Sequence, residues 1–210
     1  MRIPRLTWYF DYVSPFSYLQ LAAHPDLFRR DDVALKPVVF GGILANWHHK
    51  GPAELPPKRT FSYRYVVFRA RELGVALRFP PAHPFNPLSA LRLTVGLGSG
   101  IDAVQTIFDF VWREGRSLDD EWGVLCDRLG VADAASLCNA PGVKAALRAN
   151  GEAADAAGVF GVPTFEVDGE LFWGVDATSM LRAYLDDPAL FDEQEMRRVT
   201  HLPAAIQRKL

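Results

Sequence analysis

Residues 5–12, RLTWYFDY, run almost directly into Ser14-Pro15, and this junction constrains the fold more than any other feature of the chain. The aromatic run has the make-up of a buried β-strand. Ser14 is a good helix N-cap and Pro15 suits the first helical position, so a helix is expected to start where the strand stops. That helix carries Phe16, Leu19, Ala22 and Ala23 on one side. Pro25 ends or kinks it near Ala23, with DLFRR as a short continuation. A second strand, VALKPVVF at 33–40, follows and stops at Gly41-Gly42. Strand, helix and strand in this order form a βαβ unit, for which a parallel pair with a right-handed crossover is the default.

The chain then changes character. Ile43 to Pro57 reads as loop, TFSYRYVVFRARELG as a helix and LRFPPAHPFNP as a proline-broken loop. SALRLTVGLGSG, AVQTIFDFVWREG, DDEWGVLCDRLG and AASLCNA read as helices separated by Gly, Ser and Asp. After the alanine-rich helix GVKAALRANGEAADAAG, the segments PTFEVDG and ELFWGV are strands around Asp168-Gly169, a strong two-residue hairpin signal. ATSMLRAYLDD closes the pattern as a helix. The order predicts a discontinuous mixed α/β domain, residues 1–45 and 141–210, interrupted by an all-helical insertion at 46–140.

Bulk properties narrow the partners. With 210 residues and 49% apolar content, the chain is long enough to bury about 70% of its unfolded surface. Twenty-three basic against twenty-five acidic residues give a formal charge of −2, which supplies no field for nucleic acid or an anionic membrane. A small molecule or another protein is the better expectation. The start MRIPRLTWYFDY has no apolar signal-peptide core, and no window approaches the roughly 18 apolar residues of a membrane helix. A cytoplasmic location is expected. Cys126 and Cys138 sit among apolar neighbours and read as inert, partly buried thiols. Two cysteines and scattered histidines do not make a metal site.

Four stretches, DYVSPFSYL at 11–19, FGGILANWHHKGPAELPPKR at 40–59, GVFGVPTFEVDG at 158–169 and FWGVD at 172–176, carry a resemblance. In this order and spacing the chain resembles the family that unites kappa-class glutathione transferases, 2-hydroxychromene-2-carboxylate isomerases and DsbA-like oxidoreductases. The resemblance implies a thioredoxin-like fold with an all-helical domain inserted after the second strand. It also implies glutathione as cofactor, a small aromatic substrate and a homodimer.

Site residues follow from the same resemblance. Where thioredoxin-like proteins carry Cys-x-x-Cys, this chain has Ser14-Pro15-Phe16-Ser17. Serine cannot form a disulfide, so the site is read as one that receives the thiol of glutathione. A cysteine-like thiol has a pKa near 8.5; free N–H groups and the positive end of a helix dipole lower it. Ser14 is the candidate catalytic residue, donating a hydrogen bond to that sulfur, and Ser17 is structural. Pro163 opens a predicted strand, where it cannot donate a ladder hydrogen bond. The resemblance implies a cis peptide there, with the backbone of Val162 offered to the cysteinyl part of glutathione. Trp173, Gly174, Val175 and Asp176 are expected around its γ-glutamyl end, Asp176 on the ammonium or simply capping the next helix. Lys58 is expected on its glycine carboxylate. His49 occupies a position where relatives more often have asparagine, and could still donate to glutathione or substrate. Trp47, His48, Asn86 and Arg92 are the substrate candidates, with Phe61, Tyr63 and Phe85 as further wall residues. The implied activity is glutathione-dependent isomerisation of 2-hydroxychromene-2-carboxylate, or a close aromatic analogue, to trans-o-hydroxybenzylidenepyruvate. Kappa-type transferase or peroxidase activity, or non-catalytic glutathione binding, stands as the alternative.

Overall fold

The computed structural model describes residues 6–206. Arg5, at the expected start of the first strand, lies outside them, as do the extreme ends of the expected outer domain. The chain runs β1 (Leu6–Phe10), α1 (Pro15–Ala23), α2 (Pro25–Phe28), β2 (Val33–Pro37), α3 (Phe40–Asn46) and α4 (Pro56–Glu72). It continues through α5 (Leu88–Gly96), α6 (Ile101–Phe108), a π-helical turn at Asp109–Arg113, α7 (Trp122–Arg128), α8 (Ala134–Asn139) and α9 (Pro141–Ala156). The last part is β3 (Thr164–Val167), β4 (Glu170–Trp173), α10 (Thr178–Asp186) and α11 (Gln194–Thr200).

Four strands form one sheet in the order β2-β1-β3-β4, with β1 and β2 parallel and the other neighbours antiparallel. Pairing of Trp8 with Leu35 and Phe165, and of Phe165 with Phe172, lines one face with apolar side chains. Trp8 stacks on Phe10 at 4.4 Å between ring centroids, and Phe108 of α6 enters the same group, 4.6 Å from Tyr12. Each fully buried ring contributes roughly 1.5–3 kcal/mol. The sheet and the helical segment therefore share one apolar core. The opposite sheet face buries Tyr9, Val38, Ile43, Ala154, Val159 and Val162. This places α3 and α9 over it.

Asp168 and Gly169 both have positive φ, 51° and 88°, as a tight β3–β4 hairpin turn requires. Three sequence expectations are corrected. The second strand ends at Pro37, and Gly41-Gly42 lie inside α3 rather than in a loop. Glycine disfavours helix, but the Asp11 carboxylate accepts the Phe40 N–H at 2.9 Å and Ile43 is buried, so tertiary contacts override propensity. Helix α4 starts at Pro56 and takes Pro56-Pro57 into its first turn, where missing N–H groups cost nothing. The long 103–115 helix gives way after Phe108 to the π-helical turn, which buries Phe110, Val111 and Trp112 together. No described helix is long and apolar enough to cross a membrane.

Candidate active site

Ser14 caps α1 from an extended backbone (φ −92°, ψ 110°), its Oγ accepting the Ser17 N–H at 3.3 Å. The same Oγ donates to the Val162 carbonyl at 3.3 Å, joining the helix start to the loop before β3. Helix α1 has no acidic residue in its first turn. Ser17 is fully buried and its Oγ has no hydrogen-bond partner among the described residues.

Two groups that the sequence reading passed over hold the loop leading to Ser14. Asp11 is buried, accepts the N–H groups of Val13 at 3.0 Å and Phe40 at 2.9 Å, and takes the Ser14 N–H on its own carbonyl. Burial pushes its carboxyl pKa up to about 7, against the opposing pull of those backbone N–H groups. His83 places Nε2 2.8 Å from the Val13 carbonyl and Nδ1 2.6 Å from the Tyr63 hydroxyl. Since a carbonyl only accepts, Nε2 carries the proton, and the single Tyr63 hydroxyl proton is shared between Nδ1 and the His83 carbonyl, 2.9 Å away. Burial holds the His83 pKa below its ordinary value, and the bond to Val13 opposes this. The signals were an Asp between a strand and a Ser-Pro cap, and a His within a proline-rich loop.

The Val162-Pro163 peptide is cis, matching the expectation at that position. The Pro163 carbonyl accepts the Gly174 N–H at 2.8 Å, which brings the turn after β4 beside the Val162 loop. Gly174 has φ 87°, a conformation that favours glycine. Trp173 is half exposed and packs against Phe160 at 5.2 Å. Its indole lies so close to Gly161 that an added Cβ there would come within 2.5 Å of Nε1. Val175 is buried. Gln20, also unsuspected from sequence, ties these parts together: it accepts the Trp8 indole N–H at 2.8 Å and donates to the Gly174 carbonyl and Thr178 Oγ1, each at 3.1 Å. Ser14, Val162, Pro163, Trp173 and Gly174 thus form a continuous set.

Other expected residues stand around it or away from it. Asp176 is not the α10 N-cap: it lies in a 3₁₀ turn at Val175–Ala177, and Ala177 precedes the helix. Its carboxylate accepts from Arg69 of α4 at 2.9 Å, a pairing that crosses from the β4–α10 turn to the helical segment. Trp47 ends α3 and donates its indole N–H to the Val159 carbonyl at 3.0 Å. His48, with φ 52°, and His49 follow it, both exposed, and Lys58 is exposed in the first turn of α4. Phe61 is exposed and stacks on Tyr65, which in turn lies 6.2 Å from Phe16 of α1. Phe85 packs against His83 and Trp112.

Asn86 and Arg92 are not gathered with Ser14. Asn86 caps the Leu88 N–H at 3.0 Å and lines a small cavity with Leu118 and Trp122. Arg92 lines a groove between α3, α5 and α9, whose walls include none of the Ser14 set. Arg92 lies little more than one helical turn beyond the 85–87 loop, and that turn carries it to a different face. Cys126 and Cys138 are free and buried, burial pushes both thiol pKa values up, and Cys138 donates to the Ser89 carbonyl. Among the described residues no group of three or more His, Cys, Asp or Glu could hold a metal ion.

Comparison with known proteins adds to this geometry. The family model for the DSBA-like thioredoxin domain matches residues 5–186. A protein of Sphingobium xenophagum named 2-hydroxychromene-2-carboxylate isomerase is 29% identical over 192 residues, which is 87% of this chain and 98% of that protein. One of the same name from Pseudomonas putida is 29% identical over 198 residues, covering 84% and 91% respectively. Among solved structures, a 2-hydroxychromene-2-carboxylate isomerase superposes with a TM-score of 0.73 at 22% identity, over 95% of this chain and 99% of that one.

Proposed function

The chain belongs to the DSBA-like thioredoxin family, and from that premise we propose that it is a glutathione-dependent isomerase. Its substrate in this reading is 2-hydroxychromene-2-carboxylate or a close aromatic analogue, and its product the trans-o-hydroxybenzylidenepyruvate. The names of the two curated relatives support the reaction class. The observation that carries the reading is the contact between Ser14 Oγ and the Val162 carbonyl at the free end of α1. It is a hydroxyl where a redox protein needs sulfur, beside a backbone that can pair with an extended thiol peptide.

The residues present fit glutathione. Ser14 Oγ is in long contact with Val162, so its proton can be redirected to an incoming sulfur at small cost. The first-turn N–H groups of α1 add positive partial charge at the same point. The turn after β4 provides the backbone N–H groups of Val175 and Asp176 and the Asp176 carboxylate for the γ-glutamyl end, the Gly174 N–H being held by Pro163, and exposed Lys58 provides a cation for the glycine end. When bound, glutathione supplies a thiolate that adds reversibly to the conjugated double bond and leaves again after rotation about it. The protein's part is to keep that sulfur ionised, to hold the peptide along Val162 and to present the acceptor over it.

The test is direct. Purified protein should equilibrate the two aromatic compounds only when glutathione is added, and Ser14→Ala should slow this by about tenfold or more, the loss of one charge-assisted hydrogen bond. Equal rates without glutathione, or in Ser14→Ala, would overturn the mechanism. Steady conjugation of a chlorinated aromatic electrophile without isomerisation would reassign the chain to the transferase reading.

A further inference from the structure

The groove that contains Arg92 is separate from the Ser14 set. It has a volume of about 380 Å³. Its walls carry three cationic side chains, Arg92 from α5 and Lys144 and Arg148 from α9. None of the three forms an ion pair among the described residues. The Nε of Arg92 is buried and has no hydrogen-bond partner there. A buried, unpaired guanidinium N–H is costly, and nature compensates such groups with an acceptor. The same groove is also lined by apolar Val39, Ile43 and Leu147.

Charge along α9 is ordered. Lys144 and Arg148 lie in its N-terminal half. Glu152 and Asp155 lie on the same face toward the C-terminal end. Asp155 is held there by the Asn46 amide at 2.6 Å. A ligand that fits has its negative group among Arg92, Lys144 and Arg148 and an apolar body over Val39, Ile43 and Leu147. The geometry points to a second binding site on this protein, for small amphipathic carboxylates, in the groove between α3, α5 and α9. It stands independently of the glutathione reading, since no residue of that site lines it.

Hexanoate serves as the probe, hexanol as its uncharged counterpart and inorganic phosphate as a bare anion, each titrated into ¹⁵N-labelled full-length protein. Hexanoate should shift the backbone resonances of Gly42 and Gly151, which line the groove, saturably. Hexanol and phosphate should bind about tenfold or more weakly, each lacking one half of the recognition. The charge-reversing double variant Lys144→Glu, Arg148→Glu alters exposed positions and should weaken hexanoate by a similar factor while its melting curve shows the fold retained. Arg92→Gln should do the same. The proposal fails if Gly42 and Gly151 do not respond saturably, if the double variant binds hexanoate as the wild type does, or if hexanol or phosphate binds as tightly as hexanoate.

Discussion

Ser14 and Val162, 148 residues apart in the chain, meet through a single 3.3 Å hydrogen bond from hydroxyl to carbonyl. That bond joins the start of α1 to the loop before β3, so Ser14 has a structural and a chemical role at once. Ser14→Ala should lose the cap on the Ser17 N–H and the Val162 contact, lowering stability by about 0.5–2 kcal/mol. Ser14→Thr keeps the hydroxyl and should recover most of it. If denaturant unfolding shows no loss in Ser14→Ala, the bond contributes nothing to the fold.

Asp11 makes the loop before Ser14 sensitive to pH. Its folded pKa of about 7 stands above the ordinary 3.8, because burial disfavours the carboxylate. Between those values the folded protein holds a proton that the unfolded chain has released, so this group's contribution to stability falls as pH rises from 3.8 to about 7. Above that window it stays flat. The difference in unfolding free energy between wild type and Asp11→Asn, measured across the range, should show this slope. A difference independent of pH would mean that Asp11 titrates normally.

His83 is expected to act in the opposite sense. Burial keeps its folded pKa below the ordinary 6.5, so the unfolded chain takes up a proton first and stability is lost as pH falls below 6.5. In the imidazole NMR titration His83 should have its midpoint under 6.5, with Nε2 protonated toward Val13 in the neutral form. Tyr63→Phe removes the hydroxyl that bonds Nδ1 and the His83 carbonyl and should cost about 1 kcal/mol. A midpoint at or above 6.5 is the result that would refute the packing described.

How far such detail was legible in sequence depended on whether its cause was local. The start of α1 is encoded by two adjacent residues, Ser14 and Pro15, and the β3–β4 turn by Asp168-Gly169; both lie where expected. Helix α3 was not legible, because Gly41-Gly42 oppose it and its support comes from Asp11, 29 residues earlier. The same is true of Gln20, whose three partners belong to β1 and to residues 174 and 178. Around the site, the Ser14, Val162 and Gly174 segments could be assembled by resemblance. The direction taken by α5 could not, and it carries Arg92 elsewhere.

Gly161 separates steric room from stability. A methyl group there would crowd the Trp173 indole, which is half exposed and free to swing outward, while the Gly161 backbone is buried. Gly161→Ala should therefore cost no more than about 1 kcal/mol, at the lower edge of overpacking penalties, and should change Trp173 fluorescence and weaken glutathione binding. A large drop in melting temperature with unchanged fluorescence would show that the backbone yields instead of the ring.

Arg69 and Asp176 give the clearest separation between holding the fold and holding the ligand. Their pairing at 2.9 Å links α4 to the β4–α10 turn, yet the Asp176 side chain is 68% exposed, so solvent and salt screen the pair. Exposed pairs of this kind contribute about 0–1 kcal/mol. Asp176→Asn should then leave the melting temperature almost unchanged. If Asp176 meets the ammonium of glutathione, the same substitution should raise the Kd for glutathione about tenfold, whereas Arg69→Gln should leave that carboxylate in place and raise it less. Calorimetric titration of glutathione into both variants decides the matter. Equal affinities in wild type and Asp176→Asn would remove Asp176 from the glutathione site and leave it as the anchor of Arg69 alone.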